Sequence, residues 1–152
     1  MNLSAPFIPQ FFKDQVAQIL PYASVVFGNE TELAAYSEAQ SLGTTDLKKI
    51  AQSIADLPSK FSSRKRVVIC THGAEPTIVA TQGESEQLEI PTASVSDIVD
   101  TNGAGDAFAG GVCGALLLGN DVKKAVEVGQ KLGRMCIGQV GPILKFPKEK
   151  VL

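Results

Sequence analysis

The segment Asp100-Thr101-Asn102-Gly103-Ala104-Gly105-Asp106 constrains this chain more than any other. It follows the apolar pair Ile98-Val99 and precedes a run of small residues reaching Leu118, so it reads as a strand-to-helix turn. Glycines at such a junction allow positive φ and bring backbone N–H groups close to a ligand. The first N–H groups of a helix have no intrahelical acceptor and lie at the positive end of its dipole, which suits a phosphate. The turn is not a Walker A loop, because no Gly-Lys-Ser/Thr closes it. Nor is it a dinucleotide fingerprint, because Phe108 stands where the third glycine belongs. Asp106 is the odd member. A carboxylate repels a phosphate unless it serves a reaction there, and an alcohol attacking a phosphoryl group needs its proton accepted. Asp106 is equally a favourable first-turn acid, and spacing alone leaves both readings open.

The remaining sequence alternates apolar strands with helices. Phe11, Phe12, Val16, Ile19 and Leu20 recur at helical spacing before Pro21, and Ser24–Phe27 reads as a buried strand. Asn29 opens a helix to about Ala39. Thr44 or Thr45 caps the next, whose residues Leu47, Ile50, Ala51, Ile54 and Leu57 form an apolar stripe. Lys60–Arg66 reads as a polar, basic, solvated connector. Val67–Cys70 is a second buried strand, Thr77–Thr81 its antiparallel neighbour across a Gly73–Pro76 turn, and Leu88–Ile90 a weaker strand. Asp106–Leu118 is predicted as a small-residue helix. The last helix, Val122–Gln139, has Val122, Ala125, Val126, Gly129, Leu132, Cys136 and Val140 as its buried stripe. The pattern predicts an α/β fold with a mainly parallel sheet flanked by helices.

Composition narrows the classes. The 152 residues suit a single domain on a scale of ~100–200 residues per domain. A net charge of −2 gives no general attraction to nucleic acid or to an anionic membrane surface. No apolar run approaches the ~20 residues of a membrane span, and the first residues lack the form of a secretion signal. The three cysteines, Cys70, Cys113 and Cys136, stand far apart in apolar surroundings. They read as reduced thiols of a cytoplasmic or nuclear protein, with Cys113 and Cys136 as buried filler, rather than as a disulfide or zinc framework.

Asp100–Phe108 followed by Gly110-Gly111 resembles the C-terminal signature of ribokinase-like sugar and nucleoside kinases. Asn2-Leu3-Ser4-Ala5-Pro6-Phe7-Ile8 and Phe27-Gly28-Asn29-Glu30-Thr31-Glu32 resemble the adenosine-phosphorylating branch of that family, in the same order. The resemblance runs from Asn2 to about Pro147. It implies a ribokinase-like fold, ATP as phosphoryl donor, adenosine as acceptor and Mg²⁺ as cofactor. Asp106 then corresponds to the catalytic base, and the N–H groups of Gly103, Ala104, Gly105 and Asp106 to the anion hole. Asn29, Thr71, Gly73, Asn102 and Gln130 fall at positions around ATP, Glu32 at one that organises Mg²⁺ through water, and Ser4 and Phe7 in the nucleoside pocket. Read without the resemblance, Asn29 and Glu32 are a capping pair, His72 a solvent-facing turn residue and Phe7 a core aromatic.

The family pattern is longer than this match. Its N-terminal glycine-rich signature, the aspartate that grips the ribose hydroxyls, the lid strands and a phosphate-holding arginine are not in it. The expectation is therefore the C-terminal, ATP-side half of such a kinase, weak or inactive alone, with a sheet edge open to self-association. A non-catalytic nucleotide-binding module and another sugar kinase of the family are the competing readings.

Overall fold

The apolar run before Gly28 forms strand β1 (Val25–Asn29), and the second run forms β2 (Val67–His72). They pair in parallel, Val26 beside Val68 and Asn29 beside Thr71. Strand β3 (Glu75–Thr81) is antiparallel to β2, and β4 (Leu88–Ile90) is antiparallel to β3, giving the order β1-β2-β3-β4. The computed structural model describes residues 1–61, 63–93, 98–143 and 150–151. It divides into two compact units, Met1–Pro91 and Thr92–Leu152. The sheet lies in the first.

The α/β class holds, and the sheet is mixed: β1–β2 is the parallel pair among the described strands, with a parallel bridge from Asn2 to Phe27 at its edge, while β2–β3 and β3–β4 are antiparallel. The reason is connection length. A turn at Gly73-Ala74 joins β2 to β3, whereas a parallel partner needs a crossover of a dozen or more residues. Pro76, expected in that turn, lies inside β3.

The expected first helix is two short ones, α1 (Phe7–Phe11) and α2 (Lys13–Ile19), followed by a 3₁₀ turn at Leu20–Tyr22. Phe12 leaves helical geometry with φ −121° and ψ 33°, which breaks the stripe. Val16 and Leu20 reach the core, while Phe11, Phe12 and Ile19 stay exposed. Helices α3 (Glu30–Ala39) and α4 (Leu47–Ala55) follow the sequence closely, with Ile50, Ala51 and Ile54 fully buried. Asp46, not Thr44 or Thr45, caps α4: its carboxylate accepts from the N–H groups of Lys48 (3.0 Å) and Lys49 (3.4 Å). An ionised oxygen at this position also favours the positive end of the helix.

In the second unit, α5 (Ala104–Leu117) and α6 (Val122–Ile137) pack together. A Cβ on Gly111 would lie 2.9 Å from the Gly129 Cα, and one on Gly129 would lie 2.8 Å from the Phe108 carbonyl oxygen, so the glycines permit this close approach. Ala125, Val126, Gly129 and Cys136 are buried as expected. Val140 lies beyond the end of α6 and is exposed, and Val122 and Leu132 are half-buried. Cys113 is exposed rather than buried. Ile98 and Val99 form no strand, and residues 94–97 before them lie outside the described set, as do 144–149 at the end of the family resemblance.

Arg66 departs furthest from expectation. Read as part of a solvated connector, it is 0% exposed. Its guanidinium makes six hydrogen bonds, all to carbonyl oxygens: Leu20 (2.9 Å), Ala23 (3.0 Å), Ile54 (3.2 Å), Ala55 (3.3 Å), Leu57 (2.6 Å) and Pro58 (3.0 Å). No carboxylate pairs with it among the described residues. Its charge is met instead by carbonyl dipoles at the C-terminal end of α4, in the residues just after it, and at the two ends of the 3₁₀ segment. Arg66→Met strands the carbonyls of Ala23, Ala55 and Pro58 and is expected to cost about 3 kcal/mol, measured as a fall in urea midpoint. Arg66→Lys restores only part, because one ammonium cannot reach acceptors on both sides. An unchanged midpoint in Arg66→Met would show that the guanidinium is dispensable.

Candidate active site

The turn before α5 has the geometry its glycines suggest. Gly103 is the N-cap residue with φ +78°, ψ −2°, a left-handed conformation that L side chains rarely adopt. A Cβ there would also lie 2.5 Å from the Pro142 Cβ. No side chain caps this helix. The Ala104 N–H closes on the Thr101 carbonyl (3.2 Å) and the Ala107 N–H on the Gly103 carbonyl (2.9 Å). Between them, the N–H groups of Gly105 and Asp106 point out of the helix end as first-turn donors. Gly105 and Asp106 are exposed, and a Cβ on Gly105 would meet nothing within 4 Å. Donors, open space and a carboxylate thus coincide within one helical turn.

The first unit gathers a second set of the expected residues at the C-terminal ends of β1 and β2. Asn29 and Thr71 are register partners there, and Gly73 follows in the β2–β3 turn with φ +53°. Met1–Leu3 runs parallel beside β1, with the Leu3 N–H on the Phe27 carbonyl at 2.9 Å, which brings Ser4 to the same end. Ser4 has φ +66°, and its N–H donates to Asn2 Oδ1 at 3.1 Å. In open parallel sheets ligands bind beyond the carboxyl ends of the strands, which is where these residues stand.

Asn29 and Glu32 form a complete capping box: the Glu32 N–H donates to Asn29 Oδ1 (2.9 Å), and the Asn29 N–H donates to Glu32 Oε2 (3.0 Å). Burial raises the Glu32 carboxyl above its ordinary range, partly opposed by the bond from Asn29 and reinforced by the charge of Glu30. Oε1 takes no hydrogen bond among the described residues, and no buried side-chain oxygen lacks a partner, so Oε1 keeps access to solvent. Cap and metal-facing carboxylate are therefore compatible. Burial, with the charges of Glu30 and Glu32, pushes the neighbouring Cys70 thiol up to about 12, so it stays protonated and inert.

The other expected residues are placed less distinctively. Phe7 is 52% exposed at the start of α1, so it is not a core aromatic. Gln130 is half-buried on α6, its amide 3.4 Å from Thr92 Oγ1. His72 ends β2 and is half-buried. Asn102 is exposed in the turn, its N–H donating to Asp100 Oδ1 at 2.9 Å. Asp100, to which the sequence pattern assigns no role of its own, forms an Asx-turn here, its side chain accepting from the N–H two residues on.

The family described as pfkB family carbohydrate kinase matches residues 1–149. The chain belongs to this family. As a pfkB-family kinase chain it is similar to the adenosine kinase of Schizophyllum commune, 46% identical over 100% of this chain and 45% of the relative. It is also similar to that of Saccharomyces cerevisiae, 44% identical over 99% of this chain and 43% of the relative. Among solved structures it resembles Anopheles gambiae adenosine kinase in complex with P1,P4-di(adenosine-5) tetraphosphate, with TM-score 0.89 and 43% identity, covering 93% of this chain and 42% of that one. It resembles Schistosoma mansoni adenosine kinase in complex with adenosine and AMP with TM-score 0.86 and 35% identity, covering 95% and 42%. The ribokinase-like fold is borne out. This pfkB-family chain spans less than half the length of the curated relatives it matches.

Two glycines of the turn separate by substitution. Gly103→Ala meets both the positive φ and Pro142, and is expected to lower the thermal midpoint. Gly105→Val meets open space, so stability should shift by less than ~1 kcal/mol while phosphate affinity falls. Equal losses of stability in the two variants would contradict this division. Glu32→Gln tests the buried carboxyl. A raised carboxyl pKa means that ionisation disfavours the fold: stability is fully present below the unfolded value of 4.5 and declines as pH rises through the folded value. Glu32→Gln should therefore melt higher than wild type at pH 7 and match it near pH 4. Coincident melting at both pH values would remove burial as the cause.

Proposed function

We propose that this chain forms the ATP-binding and catalytic-base part, residues 1–152, of an adenosine kinase. In that reaction the 5′-oxygen of adenosine bonds to the γ-phosphorus of ATP, the bond to the bridging oxygen breaks, and AMP and ADP result. The observation that carries this reading is the uncapped left-handed turn at Gly103 with an exposed carboxylate, Asp106, in the first turn behind it. Asp106 accepts the 5′-hydroxyl proton. The N–H groups of Gly105 and Asp106, with that of Gly103 beside them, stabilise the equatorial oxygens of the transferring group as charge builds, whereas the Ala104 N–H, expected among them, is held by the Thr101 carbonyl at 3.2 Å. A loose transition state demands positioning and charge stabilisation more than a strong base, so a carboxylate at a helix N-terminus suffices.

The surrounding roles are those that the family resemblance implies. Asn29, Thr71, Gly73 and Asn102 contact the ATP phosphates, Gln130 faces the adenine, and Ser4 and Phe7 line the nucleoside pocket. No group of three or more potential metal ligands occurs among the described residues. That donor set suits Mg²⁺ carried by the nucleotide phosphates, with Glu32 Oε1 reaching its water shell. When bound, Mg²⁺ supplies charge neutralisation on the phosphates. No described helix is long and apolar enough to cross a membrane. The free thiols suit a reducing compartment, the cytoplasm or nucleus. The outer edge of β4 is where a second copy would add a strand.

The share of its relatives that the chain covers favours a second reading for the segment by itself, as a nucleotide-binding module with little transfer. Orientation of an acceptor is worth up to ~7–11 kcal/mol, and the ribose-gripping elements of the family pattern lie outside the match. Labelled-phosphate transfer from ATP to adenosine, with ATP binding measured alongside, tests both. Under the kinase reading, Asp106→Asn loses transfer by at least about a hundredfold and keeps ATP affinity. ATP binding without transfer in the 152-residue chain supports the module reading. Absence of both would overturn the phosphate assignment.

A further inference from the structure

Residues 57–66 carry Lys60, Arg64, Lys65 and Arg66 and no acidic side chain. The sequence reads them as a solvated connector, yet the structure gives this connector a fixed base. Buried Arg66 binds the carbonyls of Leu57 and Pro58 on one side and of Leu20 and Ala23 on the other. Above it, the Lys60 N–H donates to the Pro21 carbonyl at 2.8 Å, and the Arg64 N–H to the Phe61 carbonyl at 3.3 Å. Segments 19–23 and 57–61 are therefore tied together, and each turns large side chains outward at the tie. Ile19 is 53% exposed, Tyr22 60% and Phe61 45%. Lys60 and Arg64 are exposed in the same segment, and neither pairs with a carboxylate among the described residues. The carboxylates of neighbouring segments are engaged elsewhere: Glu84 bridges Lys65 at 3.0 Å, and Asp56 Oδ1 accepts from the Gly83 N–H at 2.8 Å.

We propose that Tyr22, Lys60, Phe61 and Arg64 form a docking surface for an acidic peptide segment of another protein, one with an apolar side chain among its carboxylates. Two unpaired cations ask for anions, and two exposed aromatics offer large contact area with few torsions to freeze. Arg and aromatic residues are also the types that dominate binding energy at interfaces. Charge favours a short segment over an extended polyanion. The chain as a whole has net charge −2, so attraction is confined to this patch, within a screening length of about 8 Å. A second copy lacks such a segment, because no two acidic residues of this chain are adjacent. The Arg66 peg fixes both backbones beforehand, which lowers the ordering cost of binding. The surface precedes β1 and β2, whereas the candidate site lies beyond their C-terminal ends, so the proposal does not rest on the phosphate reading.

The test uses the whole 152-residue chain and a short fluorescein-labelled peptide of Glu and Asp around a central Phe-Leu pair. The control peptide has Gln and Asn in place of the acids. Fluorescence anisotropy should show saturable binding that weakens with salt and that the control lacks. Lys60→Glu combined with Arg64→Glu is expected to weaken binding about tenfold or more, because both attractions become repulsions. Tyr22→Ser combined with Phe61→Ser should weaken it comparably while keeping the salt dependence. These side chains are exposed, so the urea midpoint should hold in both variants. If the aromatic pair lowers it, the charge pair decides. No saturable binding, equal binding of the control peptide, or wild-type affinity in the charge variant would overturn the proposal. So would tighter binding of polyuridylate or of phosphatidylserine vesicles than of the peptide, which would assign the patch to nucleic acid or to a lipid surface. ATP binding is measured separately, so failure of this surface and failure of the phosphate reading are told apart.

Discussion

The first unit is organised around a cation that no carboxylate pairs with among the described residues. Arg66 lies immediately before β2, and its six carbonyl acceptors belong to the end of α4, the residues just after it, and the two ends of the 3₁₀ segment after α2. The carbonyls of Ala23, Ala55 and Pro58 take no other donor among the described residues, those of Leu20, Ile54 and Leu57 share Arg66 with a second one, and an uncompensated guanidinium would be worse. Each makes the other tolerable. The consequence reaches the far end of the sheet, because fixing where β1 and β2 begin also fixes where they end, at Asn29 and Thr71. Register along a parallel pair leaves no slack: a slip of one residue turns every side chain to the opposite face.

Two helices begin at candidate phosphate-facing positions, and they treat their first-turn donors in opposite ways. At α3, Asn29 and Glu32 satisfy each other's backbone N–H groups, so that terminus is closed by its own residues and presents a carboxylate oxygen to solvent. At α5 the cap is glycine, and no side chain bonds back to the first-turn donors. The first arrangement suits a metal's water shell, and the second suits the anion itself. The difference lies in one position, asparagine at one N-cap and glycine at the other.

Much of this was legible in the sequence. The α4 stripe, the buried strands, the Asn29–Glu32 box and the turn at Gly103 all follow from periodicity or from residues with one conformational use. What was misread has a common cause, which is that local pattern does not say what lies opposite. Phe11, Phe12 and Ile19 had helical spacing, but the chain breaks at Phe12 and turns them outward. Cys113 lies on an apolar helix whose packed face is occupied by Gly111 and Phe108 instead. Arg66 looked like the last residue of a polar connector because its six acceptors come from segments before it in the chain, the most distant 46 residues away.

By itself the sequence determined the conformations that only particular residues can adopt: the left-handed glycine at 103, the capping pair at 29 and 32, and the apolar strands between helices. It also placed a carboxylate at 106 behind open donors. These are local facts, set by backbone sterics and by hydrogen bonds within a few residues. Only the tertiary structure decided that a lysine- and arginine-rich connector ends in a buried cation, that the sheet is mixed, and that Asp100 reaches across to Gly141. Each of these depends on acceptors or donors supplied by distant segments, and satisfaction of buried polar groups is a condition on the whole fold that no local pattern encodes.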